Sequence, residues 1–294
     1  MTGLRVERLD ATFGAVVSDV RLTALDEAGF AQIYSLWLDH ALLIFPDQHL
    51  DHEEQVAFAR RFGELEFDLA PLSNVRADGR VRPESDEDGV IQILKGNMGW
   101  HADSTYMPVQ AKGAVFTAHV TPTQGGETGW ADMRAAYEAL DEATRARIQG
   151  LSAFHSLRYS QAKIGHVPNE SGGVYTPSDP EDYNGYGFHD QDPPLRPLIK
   201  VHPETGRPSL LIGRHAYGIP GLEAAESERL LEDLVESACQ PPRIYHHAWT
   251  PGDAVVWDNR CLLHQGRPWD MTEPRVMYHS RIAGEAASEF APPH

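Results

Sequence analysis

The sequence predicts a mainly β protein with helical additions, a barrel or sandwich formed as one domain over residues 1–294. Short apolar runs bounded by Gly, Pro and Asp recur along the whole chain, as strands and turns require. Twenty-five Gly and 21 Pro suit a loop-rich β fold better than a helical bundle. No internal repeat and no interdomain linker interrupts the pattern, and 294 residues at 41% hydrophobic content can bury a large core.

Leu4 to Val20 alternates loosely and reads as short strands. Asp26 to Ala41 reads as a helix, with Phe30, Ile33, Tyr34, Trp37, Leu38 and Ala41 on one stripe. Ala41 to Phe45 is a buried strand stopped by Pro46, and His52 to Phe62 is a helix ended by Gly63. Residues 66–89 are rich in Asp, Arg, Pro and Gly without a period, and read as a long active-site loop. Val90 to Leu94 is expected as a strand, and so is Lys112 to Val120. Asp132 to Leu140 and Asp141 to Gln149 read as helical, and Ala153 to Tyr159 as extended. Residues 165–194 read as a second long active-site loop, with Tyr183, Tyr186 and Phe188 either lining an aromatic pocket or, the favoured reading, packing it onto the barrel. Pro197 to His202 and Ser209 to Ile212 read as paired strands around a turn. Ala224 to Ala238 is a helix burying Leu230, Leu231, Leu234 and Val235. Arg243 to Trp249 opens a final run of strands.

A net charge of −18 argues against nucleic acid and anionic membrane surfaces as partners. It also means that an anionic small substrate needs local cations for capture. Cys239 and Cys261 form no disulfide framework, the first ten residues hold no apolar signal core, and no run is long enough to span a membrane. A cytoplasmic protein is expected.

The candidate chemistry starts at Gly99-Trp100-His101-Ala102-Asp103-Ser104. On a strand, His101 and Asp103 project to the same face. The tripeptide is frequent, and a solvated His beside an Asp is its commonest meaning. A second His from a distant strand, His264, would complete two imidazoles and one carboxylate on one face of a metal, a set that suits non-haem Fe(II). Downstream, Arg275, Met277, His279 and Arg281 share one face if Pro274 to Arg281 is a strand, and three basic groups there resemble an anion site. Thr128 can be read as the end of a Gly-Gly turn, and Asn97 as a turn residue or a cosubstrate contact. His155, His202, His215, His246 and His247 read as hydrogen-bonded structural residues, and His119 as a core residue.

The order His-x-Asp, Gly-Gly-Glu-Thr, Trp-Asp-Asn-Arg…His, then Arg resembles the taurine dioxygenase (TauD/TfdA) family of iron- and 2-oxoglutarate-dependent dioxygenases. Within it, the stretches from Gly96 to Pro108, Ala131 to Tyr137, Val201 to His215 and Pro274 to Met277 resemble the phenoxyalkanoate herbicide dioxygenases, which act on (S)-dichlorprop and 2,4-dichlorophenoxyacetate. The resemblance implies a double-stranded β-helix, the jelly-roll core also seen in cupins. It implies His101, Asp103 and His264 as catalytic iron ligands, O2 and 2-oxoglutarate as cosubstrates, and Arg275 with Thr128 on the distal 2-oxoglutarate carboxylate. It implies hydroxylation of an aryloxyalkanoate whose ether bond then breaks to a phenol and a keto acid, with succinate and CO2 as coproducts. The sequence departs from the family where a second Arg, four residues after the first, holds the substrate anion. His279 stands there and Arg281 lies two further on, so both, with Ser104, are expected at the substrate. The alternatives are the same chemistry on a sulfonate, sulfate ester or other carboxylate, and a non-oxidative cupin-like metal-binding protein. The expected partners are a small anionic organic substrate and further copies of the chain in a homo-oligomer.

Overall fold

The computed structural model describes residues 4–85, 88–166 and 192–291. The chain opens with β1 (Arg5–Arg8), β2 (Ala15–Ser18), α1 (Glu27–His40) and β3 (Leu42–Phe45). Then come α2 (His52–Arg60), β4 (Leu65–Ser73), α3 (Gly89–Gly96) and β5 (Gly113–Val120). The middle holds β6 (Thr128–Asp132), α4 (Met133–Glu138), α5 (Glu142–Ile148), β7 (Ser152–His155) and α6 (Leu157–Lys163). It continues through β8 (Leu195–Pro197), β9 (Ile199–Val201), β10 (Pro208–Leu210), β11 (Ala216–Tyr217) and α7 (Ala224–Ala238). The last elements are β12 (Ile244–His247), β13 (Ala254–Asp258), β14 (Leu262–Gly266), β15 (Val276–Ile282) and α8 (Ala286–Glu289).

Seven strands form the main sheet in the order β1-β2-β3-β13-β5-β15-β4, and β12-β6-β14 form a smaller one. Period-two alternation decides what each face of the main sheet meets. Leu42, Ile44, Phe116, Val255, Trp257 and Met277 pack inward with Trp130 and Leu262 of the small sheet. Leu43, Phe45, Val115, Ala254 and Val256 face the other way, onto Ile33 and Trp37 of α1 and Phe58 and Ala59 of α2. The small sheet alternates likewise: Ala131 and Leu263 turn outward to Leu230, Leu231 and Leu234 of α7. Two sheets enclosing one apolar layer, with helices on the outside, make the cupin-like jelly roll.

Several helices are set by their first residues. Asp26 accepts a hydrogen bond from Gly29 N (2.7 Å) at the start of α1, and Asp51 with Glu54 forms a reciprocal cap on α2. Three expectations need correction. Val90 to Leu94 is not a strand but part of α3, because Asp88 caps Val90 N and Ile91 N, at 3.0 and 3.2 Å. Ile91 and Leu94, three apart, then pack on Met271. Residues 66–89 are not one loop, since Leu65–Ser73 is the edge strand β4 paired with β15. Pro71 breaks a central strand but is tolerated at a sheet edge. Ala153 to Tyr159 is extended only to His155, after which Ser156 caps α6 by accepting from Tyr159 N. Most of the second expected loop, with Tyr183, Tyr186 and Phe188, lies outside the described residues. No helix among the described residues is long and apolar enough to cross a membrane.

Candidate active site

His101 is not on a regular strand. It makes a single antiparallel bridge to His264 on the edge of β14, with His101 N donating to His264 O (2.9 Å) and His264 N to His101 O (2.7 Å). The chain then turns, so Asp103 reaches the pocket from a turn and not by strand alternation. Asn259 fixes that turn: its Oδ1 accepts from Asp103 N (2.7 Å), and its Nδ2 donates to Asp103 O and Ala111 O (both 2.9 Å). Gly213 permits the close approach on the other side. A Cβ there would lie 3.0 Å from Trp100 O, and its φ of +123° suits glycine.

The donor atoms of His101, Asp103 and His264 lie within 4.8 Å of one another, and all three residues are buried. His101 Nδ1 meets Gly99 O at 2.8 Å, which leaves Nε2 for the pocket. Burial pushes both imidazoles down to about 3, with the neighbouring His264 adding to the effect at His101 and Arg281 adding to it at His264. They are therefore neutral, as metal-ligating imidazoles must be. Burial alone would raise the Asp103 carboxyl, but Arg281, His279 and His101 outweigh it and hold the carboxyl below its usual range. Asp103 Oδ2 is buried and accepts no hydrogen bond. Two neutral imidazoles and a carboxylate with an unspent oxygen fit a divalent transition metal with several open positions.

The pocket around the triad is lined by residues of β4, β5, β6, β13, β14 and β15 and of α3 and α6. Arg275 lies inside it. Its Nε donates to Gly126 O (3.2 Å), and its guanidinium stands 5.2 Å from the Trp269 ring centroid. No carboxylate pairs with it among the described residues, and burial lowers its pKa to about 10, so it stays charged at neutral pH. Thr128 lines the same pocket, and its Oγ1 accepts from Trp249 Nε1 (2.9 Å), which leaves the hydroxyl hydrogen to donate elsewhere.

The three residues expected at the substrate are placed less simply. Arg281 lines the pocket, but its Nη2 donates to Asp103 Oδ1 (2.9 Å) and its Nη1 to Ser104 Oγ (3.3 Å). Ser104, in a left-handed turn at φ 56°, spends its hydroxyl on Glu66 Oε2 (3.0 Å) and is not part of the pocket wall. His279 lines the pocket with its ring stacked on Trp257, centroids 5.6 Å apart. Burial, helped by Arg281, pushes it down to about 3, so it has no charge to offer an anion near neutrality. Arg214 and His215 were missed as pocket residues, although the hydrogen bond of His215 to Ser160 (2.8 Å) fits the structural role read for it. A Gly-Arg-His run beside a tight glycine was the available signal. Asn97, Trp257 and Trp269 also line the pocket.

Residues 5–281 match the family described as "Taurine catabolism dioxygenase TauD, TfdA family". The chain belongs to that family. It is 66% identical over 286 residues to an (S)-phenoxypropionate/alpha-ketoglutarate-dioxygenase of Sphingobium herbicidovorans, covering 97% of each chain. It is 57% identical over 296 residues to a protein of the same name from Delftia acidovorans, covering 99% of this chain and 98% of that one. Among solved structures it resembles AAD-2 in complex with Mn(II) and N-oxalylglycine, with a TM-score of 0.85 at 35% identity over 96% of this chain and 98% of that one. This likeness, spanning nearly the whole length, agrees with the jelly roll described above.

Proposed function

We propose that this TauD/TfdA family member is an Fe(II)- and 2-oxoglutarate-dependent dioxygenase of aryloxyalkanoic acids, with the (S)-2-phenoxypropionate type as substrate and the whole chain as one catalytic domain. His101, Asp103 and His264 would hold the iron, and Arg275 with Thr128 the distal carboxylate of 2-oxoglutarate. A guanidinium fork and a hydroxyl give that carboxylate charge-assisted hydrogen bonds from buried side chains. Bound there, iron supplies the activation of O2 that puts one oxygen atom into succinate, with loss of CO2, and the other into a substrate C–H bond. Arg281 keeps Asp103 ionised and oriented, and Trp257 and Phe116 keep bulk water from the reacting centre. When the hydroxylated carbon also carries the aryl ether oxygen, the product is a hemiketal. It collapses to a 2-keto acid as the ether C–O bond breaks, and the hydroxyl proton ends on the phenolate.

One observation carries this reading: a buried Arg275, with no carboxylate partner among the described residues, shares a pocket with a two-His, one-carboxylate cluster, in a chain 66% identical to a phenoxypropionate dioxygenase. The test is to supply Fe(II), O2 and 2-oxoglutarate with each enantiomer of 2-phenoxypropionate, and with an alkyl sulfate and an alkylsulfonate. Succinate and phenol should appear in equal amounts with the (S)-acid. Succinate formed only with the sulfate or sulfonate would move the substrate class. No consumption of 2-oxoglutarate with any of them would leave a non-oxidative metal-binding protein.

A further inference from the structure

Asp103 opens a segment, continuing through residues 104–112, that forms neither helix nor strand before β5 starts at Gly113. The metal ligand stands at its head, and Tyr106 of the pocket wall lies within it. With no ladder to hold it, its shape depends on the groups that bond its amides and carbonyls. Asn259 pins its two ends, at Asp103 and Ala111. Arg196 pins the middle, where Nε donates to Thr105 O and Nη2 to Met107 O, both at 2.7 Å. Gln110 Nε2 donates to Asn259 O (3.1 Å), which ties the segment to its own clamp.

Arg196 and Gln110 are held in turn by one residue, Glu289 of α8. Its main-chain oxygen accepts from Gln110 N (3.2 Å) and from Arg196 Nη1 (3.0 Å). Its carboxylate accepts from Lys200 Nζ of β9, which also donates to Gln110 Oε1 (3.1 Å). Glu289 is 2% exposed, whereas Ala286, Ala287 and Ser288 of the same helix are exposed. A carboxylate is costly to bury unless it is paired, so a short helix that buries its glutamate and leaves its alanines in water is placed by that pair. The surrounding contacts are equally close. A Cβ at Gly284 would lie 1.9 Å from Gln110 O, and Ala291 N donates to Pro108 O (2.8 Å). Gln110, Arg196, Lys200 and Glu289 do not line the pocket, so this network reaches the site through the segment that carries Asp103.

We propose that Glu289 is a positioning residue for the metal ligand Asp103, acting through Gln110, Arg196 and Asn259. Residues 283–291 then serve as a brace on the far side of the Asp103 segment from the pocket. This goes beyond the dioxygenase reading and needs from it only a metal at His101, Asp103 and His264.

The test is calorimetric titration with Mn(II), without O2, of the parent, Asp103→Ala, Gly284→Ala and the double variant Lys200→Met/Glu289→Leu, beside chemical denaturation of the metal-free proteins. The double variant removes both charges of the pair together and leaves neither buried ion without its partner. Gly284→Ala pushes the brace from Gln110 O and changes no charge. Both should bind one equivalent per folded chain with affinity lowered about three- to tenfold, at the foot of the scale for groups that bond a metal ligand directly. Folded variants with parent affinity, whatever their stability, would make the brace purely structural and overturn the proposal. The coupling is reciprocal, so the parent gives a check that needs no substitution. Mn(II) should slow hydrogen exchange at Gln110 N and Ala291 N by the same three- to tenfold, roughly. Exchange unchanged at both amides overturns the proposal even if neither variant folds. A parent that binds no Mn(II), or an Asp103→Ala protein that binds it as tightly, overturns the metal-site reading and this proposal with it. A loss confined to Asp103→Ala overturns the proposal alone.

Discussion

His101, Asp103 and His264 bring three metal-type donor atoms within 4.8 Å of one another, and so do His202, Asp258 and Cys261. Both clusters are buried, yet their lone pairs are used differently. Asp258 gives its oxygens to Arg260, at 2.8 Å for Nε and 2.7 Å for Nη2, and to His202 Nε2 at 2.9 Å. His202 Nδ1 accepts from Glu204 N and Thr205 N, at 3.2 and 3.1 Å. Burial raises the Cys261 thiol far above its ordinary range, so it offers no thiolate. In the first cluster Asp103 Oδ2 and the pocket-facing imidazole nitrogens are unspent. Proximity of donors therefore does not make a metal site; unspent lone pairs facing a cavity do. The second cluster is a structural ion network that binds the turn after β13 to the strand pair β9 and β10.

Substituting the two aspartates should break this comparison most sharply. Asp103→Ala should fold and lose turnover to background, because one leg of the metal site is gone. Asp258→Ala leaves Arg260, only 4% exposed, with Glu204 as its remaining carboxylate partner, and should lower stability by roughly 3–5 kcal/mol. Chemical denaturation read beside turnover separates the two outcomes.

Arg275→Ala comes next. Loss of a charge-assisted hydrogen bond should raise the KM for 2-oxoglutarate by roughly ten- to a hundredfold, and Thr128→Ala by less than tenfold. Metal affinity should be unchanged in both. An unchanged KM in Arg275→Ala would place the clamp elsewhere. Arg281→Lys keeps a charge near Asp103 but loses the fork, and should cost about tenfold in metal affinity, the low end for a group that orients a ligand. A metal titration of that variant checks it.

The smallest effect is a separation by pH. The folded state holds His264 near 3 against an ordinary 6.5, so between those values the unfolded chain binds protons that the folded chain refuses. That stability is present above pH 6.5 and is lost as pH falls toward 3. At Asp258 burial pushes the carboxyl up, but Arg260 and His202 outweigh it and depress it, so its contribution is present above the usual carboxylate value of 3.8 and is lost only below it. Thermal melts of metal-free protein should show His264→Gln flattening the loss between pH 6.5 and 4, and Asp258→Asn changing the slope only below 4.

The legible parts of the fold were those with a strong period or a cap. Trp37 and its stripe, the α7 leucines and the apolar run from Ala41 to Phe45 all announced themselves. The edge strand β4 did not, because Asp68 and Pro71 look like breaks when the edge position is unknown. The short helix α3 did not, because Val90 and Ile91 suit strands and only the Asp88 cap decides otherwise. Of the site, the family pattern pointed to residues that, Ser104 apart, line one pocket. It could not show that Arg281 is spent on Asp103, that burial strips His279 of its charge, or that Arg214 enters from a helix-strapping position. Those facts depend on contacts between residues more than a hundred positions apart, which one-dimensional spacing does not carry.

The most direct measurement is an anaerobic calorimetric titration with Fe(II) of the parent, Asp103→Ala and Asp258→Asn. One equivalent should bind per chain in the parent and in Asp258→Asn, and none at the same affinity in Asp103→Ala. Undiminished binding to Asp103→Ala, with loss in Asp258→Asn, would place the metal at the other cluster and contradict the account.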